Sequence, residues 1–215
     1  MGTGEVNGRI DDYRIHPKVK ICGLSRSCDI EAVNIEKPDY IGFVFAESKR
    51  KVTPEQAAEL KKTLSPEILA VGVFVNEPIE NILTLLKNSV IDIIQLHGME
   101  NEQYIKELKL LTKAPIIKAV SVHSKGDAQK WGNTSADYLL LDHKSGGTGQ
   151  TFEWDLIGKV SKPYFLAGGL NIENINEAIV KTTPFAVDVS SGVETVGFKD
   201  PVKVKEFIRR VRNER

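Results

Sequence analysis

Cysteine is scarce: Cys22 and Cys28 are the only two among 215 residues. Two thiols do not make a disulfide framework in a chain of this length, which favours a reducing compartment, the cytoplasm. Neither sign of charge is in excess, with 29 basic residues against 29 acidic ones. That balance excludes the broad electrostatic footprint of a nucleic-acid or membrane-surface binder, so any anion site has to be local. No apolar run approaches the roughly 20 residues of a membrane span. The opening stretch lacks the apolar core of a secretory signal; residues 1–17 are expected to be a flexible lead-in, and residues 18–215 one domain. The histidines, His16, His97, His123 and His143, show no metal-ligand spacing, and two cysteines six apart do not make a zinc site. No metal is expected.

What is present is a recurring pattern. With 41% hydrophobic residues the chain can bury a substantial core. Short apolar, β-branched-rich runs fall at 19–22, 40–45, 70–75, 93–97, 116–122, 138–142, 164–167 and 186–190. Runs this apolar suit parallel strands covered by helices better than half-exposed antiparallel ones. Amphipathic stretches lie between them, several with start signals: Thr53-Pro54-Glu55, Asn76-Glu77-Pro78 and Asn171-Ile172-Glu173 each offer an N-cap candidate. Eight strand–helix units in one chain of this size predict a single-domain (β/α)₈ barrel of the TIM type, with a doubly wound open sheet as the alternative.

Polar residues within these runs favour one parity or the C-terminal end: Lys20, Cys22, Gln95, His97, Lys118, Asp142, Asp188 and Ser190. Their neighbours Ile21, Ile94, Leu96, Ile117, Leu141, Val187 and Val189 are apolar. Since strand side chains alternate faces, the apolar set is expected under the helices and the polar set inside the barrel or its mouth. Lys20, Lys118 and Asp188 read equally well as a paired, buried charge layer.

Four local features carry chemistry. Gly168 and Gly169 follow the seventh run, and Ser190, Ser191 and Gly192 follow the eighth. Glycines and hydroxyls at these two strand ends make the usual phosphate cradle of such barrels, although either cluster alone is also an ordinary turn. A glycine-rich stretch at 145–150 lacks the Lys-Ser/Thr ending of a P-loop and sits too late for a dinucleotide fingerprint; it is expected to be a mobile loop beside the mouth. Cys22 and Asp142 end the first and sixth runs and are a potential pair of proton handlers, though in isolation such a Cys is more often a buried core thiol and such an Asp a structural hydrogen-bonder. A thiol with an ordinary pKa of about 8.5 needs its thiolate stabilised to act as a base, and an acidic Asp needs the opposite. Arg50, after the second run, is either a bidentate grip for a carboxylate or a solvated basic turn.

Taken in order, several motifs resemble one family. They are Val19-Lys20-Ile21-Cys22-Gly23-Leu24, Gly42-Phe43-Val44-Phe45, Ser48-Lys49-Arg50, Val71-Gly72-Val73-Phe74, Gln95-Leu96-His97-Gly98 and Leu141-Asp142. Gly146-Gly147-Thr148-Gly149 with Phe152-Glu153-Trp154, Ala167-Gly168-Gly169-Leu170-Asn171 and Val187-Asp188-Val189-Ser190-Ser191-Gly192-Val193-Glu194 complete the set. From about Val19 to the C-terminal helix the chain resembles the phosphoribosylanthranilate isomerases of tryptophan biosynthesis. The resemblance implies an Amadori rearrangement of N-(5-phosphoribosyl)anthranilate, with Cys22 as general base and Asp142 as general acid. It implies that Arg50 binds the anthranilate carboxylate, and that Gly168, Gly169, Ser190, Ser191 and Gly192 hold the phosphate. No cofactor is implied, because the substrate nitrogen supplies the electron sink. The only partner implied is a small phosphosugar, bound by a monomer or homodimer. Other phosphosugar barrels, such as a histidine-pathway isomerase or indole-glycerol-phosphate synthase, use a carboxylate or lysine where this chain has Cys22. A non-catalytic phosphate-binding barrel has no need of both Cys22 and Asp142.

Overall fold

The computed structural model describes residues 16–142 and 154–212. Eight parallel strands close on themselves in chain order: β1 (Lys18–Cys22), β2 (Tyr40–Val44), β3 (Leu69–Phe74), β4 (Ile93–Leu96), β5 (Ile116–Ser121), β6 (Tyr138–Asp142), β7 (Tyr164–Leu166) and β8 (Ala186–Val189). The ring is sealed where β8 pairs with β1, with Val19 opposite Val187 and Lys20 opposite Asp188. The open sheet is thereby ruled out and the single-domain barrel stands.

Helices α1 (Ser27–Glu36), α2 (Pro54–Lys62), α3 (Ile79–Lys87) and α4 (Glu102–Leu111) follow the first four strands. After β7 and β8 come α5 (Ile175–Thr182) and α6 (Pro201–Arg212). The regular alternation lapses after β5, where a 3₁₀ turn at Gln129–Trp131 replaces a helix. Gly126, Gly132 and Asn133 interrupt that stretch, too short between breakers to propagate an α-helix. Another 3₁₀ turn, Trp154–Leu156, precedes β7. The lead-in up to residue 15 and the glycine-rich stretch at 145–150 lie outside the described residues. Among the described residues no helix is long and apolar enough to cross a membrane.

Two of the helix starts depart from expectation. Thr53 caps α2 with a reciprocal box: its hydroxyl accepts from the Gln56 N–H, and its own N–H donates to the Gln56 side chain. Asn76 does not cap α3, which begins behind Pro78; with φ at 51° it turns away, and its side-chain oxygen accepts from the Met99 N–H. Asn171 likewise sits outside α5, its side chain accepting from the N–H groups of Glu173 and Asn174 in a local turn.

Strand alternation divides the core into two shells. Ile21, Ile94, Leu96, Leu141, Val187 and Val189 pack outward under the helices. Tyr40, Val71, Ile93, Ile117, Leu140 and Phe165 fill the barrel interior. Phe165 stands at the centre of the floor, 5.4 Å from Tyr40 and edge-on to Tyr138 at 5.7 Å. Above this floor the inward positions turn polar, toward the C-terminal end.

On β5 the expected parity is inverted. Ile117 points in and Lys118 points out, into the layer between barrel and helices. Lys118 is therefore no partner of Lys20 and Asp188. Its ammonium donates to the Gly98 carbonyl at 2.7 Å and to Glu100 at 2.9 Å, and both side chains are almost wholly buried. Glu100 in turn accepts from the N–H groups of Asn76 and Gly98, tying together the loops that follow β3 and β4. Removing one member of a buried pair strands the other charge. Lys118→Met is therefore expected to lower the unfolding free energy by about 3–5 kcal/mol in denaturant titration; a loss below about 1 kcal/mol, typical of exposed pairs, would show that this pair does not hold the two loops.

Candidate active site

A cavity of about 410 Å³ opens at the C-terminal mouth of the barrel. Cys22, Arg50, Asp142, Gly168, Gly169, Ser190 and Ser191, separated by up to 169 positions in the chain (191 − 22), all line it. Gly192 does not. It lies against the preceding loop instead: a β-carbon added there would fall 2.0 Å from the Leu170 carbonyl oxygen. Only glycine lets the loops after β7 and β8 pack this closely.

Gly168 and Gly169 adopt φ values of 85° and 68°, a region that side chains disfavour. The turn they form is held from α5's side, where the Asn174 amide donates to the Gly169 carbonyl at 3.0 Å. Ser190 is fixed on the other wall, its hydroxyl donating to the Cys22 carbonyl at 3.0 Å. Backbone and hydroxyl groups of both loops thus border one rim of the cavity.

Cys22 ends β1 with its sulfur packed over Gly42 of β2, where a β-carbon would come within 2.7 Å of it. Burial pushes the thiol above its ordinary pKa; Lys20 pulls it down, Asp188 pushes it up again, and Lys199 pulls it down. The net direction is up, so the resting group is a thiol. Lys20, on the same face of β1, is fully buried and holds Asp188 at 3.0 Å. Burial works against its ammonium, yet Asp188 and Cys22 together keep its pKa above the usual lysine value.

Across the mouth Asp142 ends β6, about one-third exposed, with one carboxylate oxygen 3.8 Å from His97 Nε2. The other ring nitrogen of His97, Nδ1, lies 2.9 Å from the Gln95 side-chain amide. Burial first, then the nearby Lys20, hold the His97 pKa below its ordinary value, so the ring is neutral.

Arg50 is engaged already. Its Nε and one terminal nitrogen grip Glu194 at 2.6 and 2.7 Å, a two-pronged contact inside the protein. Arg50 nevertheless lines the cavity, with its side chain partly exposed. Glu194 opens a short ribbon, β9 (Glu194–Thr195) with β10 (Phe198–Lys199), and also accepts from Lys199, which donates to the Ser190 carbonyl at 3.0 Å. Burial raises the Glu194 carboxyl, but Arg50 and Lys199 outweigh it and hold its pKa low. Arg50, Glu194, Lys199, Ser190 and Cys22 form one continuous polar chain along this wall.

Sequence reasoning missed Glu194 and Lys199 as members of the site. Glu194 stood within the last shared motif and carried a signal of its own; Lys199, reached only through the β9–β10 turn, carried none.

The sequence profile of the N-(5'-phosphoribosyl)anthranilate isomerases matches residues 19–210. A protein of that name from Endomicrobium trichonymphae is 48% identical over 201 residues, covering 92% of this chain and 99% of its own. Another from Clostridium acetobutylicum is 49% identical over 203 residues, covering 91% and 98%. The crystal structure of the Thermotoga maritima phosphoribosylanthranilate isomerase superposes with a TM-score of 0.84 at 38% identity, over 92% of this chain and 99% of that one. A further solved isomerase, bound to reduced 1-(o-carboxyphenylamino)-1-deoxyribulose 5-phosphate, gives 0.79 at 35% identity, covering 92% and 99%. By profile, sequence identity and fold together, this chain belongs to the N-(5'-phosphoribosyl)anthranilate isomerase family.

Proposed function

We propose that this chain isomerises N-(5'-phosphoribosyl)anthranilate to 1-(2-carboxyphenylamino)-1-deoxyribulose 5-phosphate, a step of tryptophan biosynthesis, using Asp142 as acid and Cys22 as base. The observation that carries the assignment is that a carboxylate and a thiol from opposite sides of the barrel line one cavity whose rim offers an anion cradle. Asp142 protonates the furanose ring oxygen, the C1–O bond breaks, and the nitrogen lone pair forms an iminium at C1. The iminium acidifies the C2 proton, which the Cys22 thiolate removes to leave an enolamine. Protonation at C1 and loss of the enol proton give the ketone, so the reaction is redox-neutral and its electron sink is the substrate's own nitrogen. The neutral His97, with Nε2 3.8 Å from Asp142, stands beside the carboxylate left after the first proton transfer.

The phosphate sits between Gly168–Gly169 and Ser190–Ser191, with Gly192 serving by letting the two loops meet. The anthranilate carboxylate binds at Arg50, while Glu194 fixes the guanidinium. Both cysteines are free, which fits residence in the reducing cytoplasm.

Purified protein is expected to quench the fluorescence of freshly prepared phosphoribosylanthranilate, and no decay beyond the spontaneous rate would refute the activity. Cys22→Ala and Asp142→Asn should each lower kcat by about 10²–10⁴-fold with the fold and phosphate binding retained; near-normal turnover in either removes that residue from the mechanism. Because burial holds the Cys22 thiol high, kcat/KM should climb with pH and still be rising above the ordinary thiol pKa of about 8.5 as thiolate accumulates, and a flat profile contradicts a thiolate base. Arg50→Met should act mainly on KM, which an unchanged KM would disprove.

A further inference from the structure

The reaction requires a buried sulfur to alternate between anion and neutral thiol. A buried anion is costly unless a cation lies beside it. A buried cation standing alone is equally costly whenever the sulfur is neutral. The barrel contains a group that meets both conditions. Lys20 is fully buried two residues before Cys22 on the same strand face, and its ammonium contacts Asp188 at 3.0 Å.

We propose that Lys20 is a positioning residue of the reaction, the buried counter-ion of the Cys22 thiolate, and that Asp188 keeps Lys20 charged while the sulfur carries its proton. The inference rests on reading Cys22 as the base. It follows from register: closure of the ring sets Lys20 directly opposite Asp188, so both charges are delivered to one level, just beneath the sulfur. With the thiol protonated, Lys20 and Asp188 neutralise each other. When the thiol ionises, Lys20 stands between two anions, and Lys199, bonded to Ser190 on the same wall, adds a second positive charge nearby.

The other groups facing this cluster fit the arrangement. Gly42 of β2 brings no side chain, and Arg50 from the loop after β2 adds positive charge on the cavity side of the sulfur. His97, at the end of β4, is held neutral in part by Lys20 itself, so it does not compete as a cation for Asp188. Burial alone still keeps the resting sulfur protonated. Lys20 brings ionisation within range of the reaction rather than completing it.

A purely structural ion pair would leave the sulfur's ionisation unchanged, and alkylation separates the two. The exposed Cys28 is first replaced by Ser so that only Cys22 reacts. The rate of iodoacetamide alkylation is then followed against pH in this parent, in Lys20→Met and in Lys20→Met/Asp188→Asn. Lys20→Met should alkylate at least about tenfold more slowly at pH 8, with the alkaline rise of kcat/KM displaced in parallel. The double variant, which leaves no carboxylate stranded and is the one expected to fold should the single variant not, should fall between the single variant and the parent. An alkylation profile matching the parent in whichever variant folds overturns the proposal. A displaced alkylation profile with an unmoved kcat/KM profile would uphold Lys20 as counter-ion while removing Cys22 as the base.

Discussion

The seam between β1 and β8 is the contact on which the site depends. Parallel pairing there fixes Lys20 against Asp188 and Val19 against Val187, 168 positions apart, and it does so by backbone hydrogen bonds rather than by the side chains concerned. A slip of one residue would turn every inward group on β1 outward, taking Cys22 from the cavity and Lys20 from beneath it. Each further strand end is then located relative to this seam. Asp142 arrives opposite Ser121 on β5, and Ser190 follows β8 to meet the backbone of β1. The chemistry at the mouth is a consequence of ring closure lower down.

Above the seam, the mouth is organised by charges that answer one another in small groups. One group joins Lys20, Asp188 and Cys22; a second joins Arg50, Glu194 and Lys199; a third is the uncharged pair Gln95 and His97 beside Asp142. The three are arranged around a single hollow and differ in kind. The first two hold full charges in low-dielectric surroundings, where partners must be close. The third uses a neutral ring held between a side-chain amide and a carboxylate.

Much of this was legible in the sequence. The eight apolar runs became eight strands because full burial on both faces leaves little room for polar alternation, and their order predicted their neighbours. The strand-end residues Cys22, Asp142, Ser190 and the two glycines were legible because function in such a barrel gathers at one end. Lys118 was misread for a physical reason: a long side chain can bury its ammonium outside the barrel as well as inside it, and its partner Glu100 lies in a loop that gives no periodic signal. The internal partner of Arg50 was not legible, because a guanidinium's partner cannot be inferred from the residues beside it in sequence. Glu194 is 144 positions away.

The ribbon between β8 and α6 has a further consequence. Its two ends, Glu194 and Lys199, are anchored to each other and to the wall of the cavity, while its tip at Val196 stands 92% exposed. The geometry that matters is closed below the tip by the two antiparallel pairs. The tip is therefore a place where the chain can be lengthened or decorated without disturbing the anchored ends that brace the wall of the cavity, so that change at the surface need not reach the lining behind it.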